Sequence, residues 1–243
     1  MPESLALTRL LNSLFGGVAA SLLHAVGLKA DPATVITDAF ALELVVALGL
    51  IAFFVIVRMS LSVEKPSPVQ QCAEMIHEFV GGQAEQIIGH GYERFQAFCT
   101  CIGLFVLINN LIGLIPGIPA PTSNPVVPLG LAIPTFLYYN FHGVRVQGVV
   151  GYLKHFAGPV WWLIPLLFPI EIVSHLARVM SLTIRLYANM FAGDLVTLVF
   201  FSGFPAVLPV AFLGLHLMVS FIQAFVFMLL TMIYLSLAVS HEH

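Results

Sequence analysis

Glu171, Ser174, Arg178, Ser181, Arg185 and Asn189 follow one another by three or four residues, separated mainly by Leu, Ile, Val and Met. On a helix that spacing gathers them into one polar stripe along an otherwise apolar rod. No Gly or Pro interrupts 170–192, so the helix can be continuous there. His175 lies on the flank of the stripe. Asp194, about two and a half turns beyond Arg185, points roughly the opposite way on an ideal helix. A second apolar stretch repeats the design. Its His216, Ser220, Gln223, Thr231 and Tyr234 share one face, with Phe227 filling the remaining step, and no Asp, Glu, Lys or Arg occurs between Asp194 and Glu242.

Charges inside a membrane segment cost several kcal/mol and by default mark ion or proton pathways. An arginine stays protonated at working pH, so Arg185 cannot itself ferry protons. It can serve as a fixed positive charge that a mobile carboxylate must pass, favouring the ionised form of that carboxylate. Glu171, Asp194 and His216 are titratable and suited to passing protons to or from such a site. The alternative is structural, with Glu171 paired to Arg178, or Arg185 to Asp194, merely to join helices. For Glu171 and Arg178 both readings stand, because an arginine near a membrane surface can snorkel. For Arg185 the pairing is weaker, since its own face offers only hydroxyl and amide groups.

Such a helix presupposes an apolar surround, and the composition supplies it. Of the 243 residues, 59% are hydrophobic and only 9% are Asp, Glu, Lys or Arg. Soluble domains carry about 25% charged residues, and the mean hydropathy here is +1.00. These values exclude an ordinary soluble enzyme and a disordered chain. Lys plus Arg is 9 against 12 acids, which excludes a basic nucleic-acid binder. The fold class is an all-α integral membrane protein. Three cysteines argue against a disulfide framework, and Cys99-Thr100-Cys101 in an apolar run reads as buried thiols rather than a metal site.

Crossing the hydrocarbon core takes about 20 apolar residues. The runs that qualify are 39–57, 95–115, a short 126–141 with Pro128 and Pro134 inside it, 161–201 and 205–239. Pro116-Gly117 ends the second. The fourth is about 62 Å long if wholly helical, about twice the hydrocarbon thickness, so it either tilts strongly or breaks near Pro165 and Pro169. Loop charges give the orientation. Arg58, Lys65 and Arg94 lie between the first two runs and Arg145 and Lys154 after the third, whereas GIPAPTSN and the 202–205 turn hold no Lys or Arg. Five crossings, N-terminus outside and C-terminus inside, satisfy these loops, with Lys29 the one dissent.

Residues 1–38 form an amphipathic lead-in on the outside. They lack the positive start and unbroken apolar stretch of a signal peptide. Residues 68–89 predict a helix lying at the inner surface, opened by Ser67 as N-cap and Pro68 at its first position. Val69, Cys72, Ile76, Phe79 and Val80 recur at helical spacing, while Glu74, Glu78 and Glu85 lie elsewhere on the wheel. That acidic side suits a protein partner or is a solvated face.

Three segments, in this order, carry a resemblance: NNLIGLIPG, SLTIRLYANMFAGDL and HLMVSFIQAFVFMLLTMIYLSLA. They resemble subunit a of the F-type ATP synthases, and the resemblance runs from about Asp38 to the C-terminus. It implies a proton-conducting stator beside a rotating ring of c subunits, joined to a b-type peripheral stalk in the whole F1Fo complex. Two long tilted helices would face the ring. The resemblance maps the essential arginine onto Arg185, the channel amide onto Asn189, the channel acid onto Asp194 and the channel histidine onto His216. It maps onto Gln223 the glutamine lying close to the arginine, and onto Tyr234 a polar position further along. Glu171, Ser174 and Arg178 match the opposite, inner half-channel. Many relatives carry Glu where this chain has Asp194, and Lys where it has Arg178. The shorter Asp194 side chain implies a water bridge to His216. The implied location is a bacterial plasma membrane, with thylakoid or mitochondrial inner membrane as the alternative.

Two other readings compete with it. A stand-alone transporter for a small anion would use Arg185 to bind a carboxylate, but such proteins often show repeats and broken helices at mid-membrane, and neither is visible here. A structural scaffold would use both stripes only as glue. No GxxxxGK[ST] phosphate loop is present, so no enzyme activity, cofactor or metal is expected, and the closing His241-Glu242-His243 reads as a solvated tail.

Overall fold

The computed structural model describes residues 5–25, 31, 34–115, 118, 120–157, 164–203 and 207–239. Lys29, the Pro116-Gly117 stop, the start of the fourth apolar run and the closing His241-Glu242-His243 lie outside the described residues. The described elements are helices: α1 (Ala6–Ala25), α2 (Asp38–Met59), α3 (Pro68–Ile88), α4 (Glu93–Ile112), a 3-10 turn (Pro121–Ser123), α5 (Val126–Ala157), α6 (Ile164–Gly203) and α7 (Val207–Val239). Among them, Asp38–Met59, Glu93–Ile112, Pro165–Phe200 and Val210–Val239 are long and apolar enough to cross a membrane. The protein is an all-α integral membrane protein.

Local chemistry explains the helix ends. The Ser67 hydroxyl accepts from the Gln70 amide, with Pro68 in the first turn of α3, where a missing N–H costs nothing. Thr37 caps α2 in the same way, accepting from the Phe40 amide at 3.3 Å. Gly89 closes α3 at φ +77°, a conformation that side chains rarely adopt. α1 is tied back by its polar residues: Leu5 N and the Thr8 hydroxyl donate to Asp38, and the Asn12 amide exchanges hydrogen bonds with the backbone of Ile36.

Two helices bear on the apolar runs of the sequence. α5 runs on past 141 to Ala157, with a non-helical Gly148 marking a kink. Pro128 is no obstacle, because it lies in the first turn, where no intrahelical N–H bond is due. α6 is continuous through Pro169. Pro165 and Pro169 fall within its first two turns, where few bonds are lost, so the choice between tilt and break resolves to an unbroken helix about 60 Å long.

The core comprises two apolar clusters. Val80 and Ala84 of α3, Phe95 and Cys99 of α4, Tyr139 of α5 and Met228, Met232 and Leu235 of α7 form one. Ile102 and Val106 of α4, Ala132 of α5, Leu182, Leu186 and Met190 of α6 and Phe227 of α7 form the other. α7 thus runs through the centre, with α4, α5 and α6 along it. Large apolar side chains such as Leu48, Ile51 and Ile56 of α2 point outward, as lipid requires. Of the three cysteines only Cys99 is buried. Cys72 and Cys101 are exposed, because the apolar run around Cys101 presents one side to the core and the other to the surroundings. On α3 likewise, Val80 is buried but Val69 and Phe79 are exposed.

Candidate functional site

α6 is anchored by one side and presents its polar stripe on another. Leu182, Leu186 and Met190 are buried against the core, and Ser181, Arg185 and Asn189 beside them are exposed. The Arg185 guanidinium donates to the Ser181 hydroxyl at 3.3 Å, within its own helix. The pairing of Arg185 with Asp194 does not occur among the described residues, since Asp194 turns elsewhere. The Arg185 guanidinium is thus exposed on an apolar helix, backed by Leu182, Leu186 and Met190.

Toward the Gly203 end of α6, polar groups converge around Asp194. Its Oδ2 accepts from the backbone N–H of Ala120 at 3.3 Å, and Ser123 and His216 are its electrostatic neighbours. The 3-10 turn that brings Ala120 and Ser123 there is itself pinned by the Thr122 hydroxyl, which donates to Asn110 Oδ1 at 2.7 Å. His216, on α7, is buried, and neither ring nitrogen has a hydrogen-bond partner among the described residues. Its ring lies against Gly193, where an added Cβ would approach to 3.0–3.1 Å. Asp194 and His216 are therefore close without a direct hydrogen bond. One turn toward Arg185, Asn189 Nδ2 donates to Gln223 Oε1 at 2.7 Å, and the Gln223 amide nitrogen is buried without a partner among the described residues. Gln223 thus meets Asn189, about one turn from Arg185.

Toward the Ile164 end lies a second cluster. Glu171 Oε1 is 3.4 Å from His175 Nε2 and 3.8 Å from an Arg178 nitrogen. The Arg178 guanidinium stands over the Tyr234 ring at 5.6 Å, an aromatic face that attracts a cation. Tyr139 of α5 places its hydroxyl 3.1 Å from His175 Nδ1. Ser174 is half-buried on the stripe between Glu171 and Arg178. Tyr234 therefore groups with Glu171 and Arg178, away from His216 on its own helix. Glu171 and Asp194 are about 35 Å apart along α6 at 1.5 Å per residue, and Arg185 lies between them.

Several members of these clusters escape a reading of the stripes. Ala120 contributes a backbone group, which no side-chain pattern reveals. Ser123, Asn110 and Thr122 sit around a segment that reads as a plain turn, although NNLIGLIPG carries unusual buried amides for an apolar run. His175 was visible on the flank of the stripe, but its link to Tyr139 joins positions far apart in sequence.

A family model described as ATP synthase A chain matches residues 40–236. A protein of Koribacter versatilis named ATP synthase subunit a is 50% identical over 244 residues, covering 100% of this chain and 100% of the relative. A second of that name, from Solibacter usitatus, is 49% identical and covers 83% of this chain and 87% of its own length. A third, from Helicobacter hepaticus, is 42% identical over 73% of this chain and 80% of its own. With the family model spanning both polar clusters and the Arg185 segment between them, the chain belongs to the ATP synthase A chain family.

Proposed function

We propose that this chain is the proton-conducting stator subunit of a rotary F-type ATP synthase, with separate half-channels at the two ends of α6. A proton enters from the outside along Asp194, Asn189 and His216 and neutralises a carboxylate on a subunit of the c-ring. The neutral carboxylate turns away into lipid. After nearly a full revolution it reaches the inner half-channel near Glu171, Ser174 and Arg178 and releases its proton. Arg185 keeps the returning carboxylate ionised and blocks a direct leak between the two paths. Gln223 and Tyr234 line the α7 side of the outer and inner paths respectively. The drive is about 2.3 kcal/mol per charge per 100 mV, so several protons are needed for each ATP.

The observation that carries this reading is the exposed Arg185 on a membrane helix, flanked by polar clusters about 21 Å and 13 Å away along the axis. A charge facing lipid is costly, and a ring carboxylate sliding past would satisfy it. The remaining assignments follow from the same reading. The ring and a b-type peripheral stalk are the partners within an F1Fo complex, and nucleotide chemistry resides on other subunits. α5 supplies a fifth crossing, with the N-terminus outside and the C-terminus in the cytoplasm. α1 lies on the outer side and α3 along the inner surface of a bacterial plasma membrane.

Separate removal of the two carboxyl groups tests the paired paths. Glu171→Gln and Asp194→Asn are each expected to lower ATP-driven acidification of inverted vesicles by about tenfold or more, with ring and stalk still copurifying. Unchanged acidification in both assembled variants would contradict the proposal.

A further inference from the structure

His175 is buried, with only 7% of its surface exposed, and it touches groups from two helices. Its Nε2 lies 3.4 Å from Glu171 Oε1, and its Nδ1 lies 3.1 Å from the Tyr139 hydroxyl. The Tyr139 ring is stacked beside the imidazole at 6.0 Å between centroids, and Phe136 closes the edge at 6.1 Å. Among the described residues, Glu171 and Arg178 on α6, Tyr139 on α5, and Tyr234 on α7 beyond Arg178 are the titratable and charged groups seen around the imidazole.

A neutral imidazole has one N–H and one lone pair, and the partner of one nitrogen decides the role of the other. A carboxylate next to Nε2 requires the hydrogen on Nε2. Nδ1 then carries the lone pair, which the Tyr139 hydroxyl satisfies by donating to it. The tyrosine therefore selects the tautomer and the ring orientation that point an N–H at Glu171. His175 and Arg178 both reach the same oxygen, Oε1. A carboxylate held by Oε1 can exchange a proton through Oε2.

We infer that His175 is a positioning residue of the inner proton path, set by Tyr139 so that Glu171 is held by one oxygen and exchanges protons through the other. The inference rests on Glu171 lying in that path. The exchanged proton arrives on Oε2 through water and leaves by it, and His175 keeps its own proton throughout, so no further donor or acceptor is needed.

The test is ATP-driven acidification of inverted vesicles bearing the assembled complex, comparing His175→Leu, His175→Gln, Tyr139→Phe and Glu171→Gln. His175→Leu is expected to slow acidification about tenfold, the size of losing one charge-assisted hydrogen bond. The amide of His175→Gln can offer an N–H to Glu171 and is expected to restore most of the rate. Tyr139→Phe removes one hydroxyl with little change of packing and is expected to slow acidification severalfold. His175→Leu placed on top of Glu171→Gln should add nothing. Wild-type rates for Tyr139→Phe and His175→Leu, with Glu171→Gln impaired, would overturn the inference and leave the inner path standing. A wild-type rate for Glu171→Gln would overturn the path itself. If His175→Leu does not assemble, Tyr139→Phe and the His175→Gln rescue decide alone, and a wild-type rate in the first or no rescue in the second overturns the inference.

Discussion

Asn189 and Gln223 join α6 to α7 through a 2.7 Å amide-to-amide hydrogen bond about one turn from Arg185. Asn189 is exposed and Gln223 buried. The pair therefore connects the outward-facing stripe to the interior seam of α7, where His216 and Ser220 lie on the same face.

That bond separates two functions a polar seam can have. Asn189→Leu alone leaves the buried Gln223 oxygen without its donor, which costs about 1–3 kcal/mol. The double variant Asn189→Leu/Gln223→Leu removes both partners and should regain most of that stability, since apolar pairs of similar shape are nearly neutral. Thermal unfolding of the detergent-solubilised complex checks the first statement. It checks the second in the same way, and in vesicles the stable double variant is expected to remain impaired in acidification. Normal pumping there would mean that the seam is only glue.

Gly193 lets the His216 ring approach the backbone of α6. A Cβ at that position would come within 3.0–3.1 Å of three ring atoms. Because His216 is buried, its ring has little room to retreat. Gly193→Ala is expected to push it away from Asp194, to cost about 1–3 kcal/mol as overpacking, and to reduce acidification severalfold. An unchanged rate with unchanged thermal stability would show that the ring position does not matter.

Gly113 performs a comparable service for the 3-10 turn. A Cβ there would stand 2.5 Å from Ala120 Cβ and 3.0 Å from Ala120 Cα, a clash with backbone that no rotamer relieves. Ala120 N is the donor to Asp194. Gly113→Ala should lift the turn off the carboxylate and lower acidification about as far as Asp194→Asn does. Gly130→Ala, where an added Cβ meets nothing within 4 Å, is expected to leave the rate unchanged.

The stripes themselves were legible because helical spacing is periodic and the surrounding residues are apolar, so Glu171 to Asn189 and His216 to Tyr234 sorted onto faces without any coordinates. The Ser67-Pro68 helix start was equally readable, since a cap is a local event. Three features were not. The Ser181, Arg185 and Asn189 part of the α6 stripe faces outward, and nothing in its spacing distinguishes outward from inward when lipid and core are both apolar. The contact of Ala120 with Asp194 is between a backbone group and a side chain far along the sequence. Tyr139 lies in a segment that reads as a short, proline-marked run, and its contact with His175 joins positions 36 residues apart on two helices. In each case the missing information was which elements meet, which local periodicity does not encode.

The central claim is that Arg185 acts at the proton-transfer step between two paths. The most direct measurement is ATP-driven acidification of inverted vesicles, comparing wild type with Arg185→Ala after checking that ring and peripheral stalk remain assembled in both. The account predicts that pumping is lost while assembly is intact. Normal pumping by a fully assembled Arg185→Ala complex would contradict it, and the polar stripes would then serve only to hold helices together.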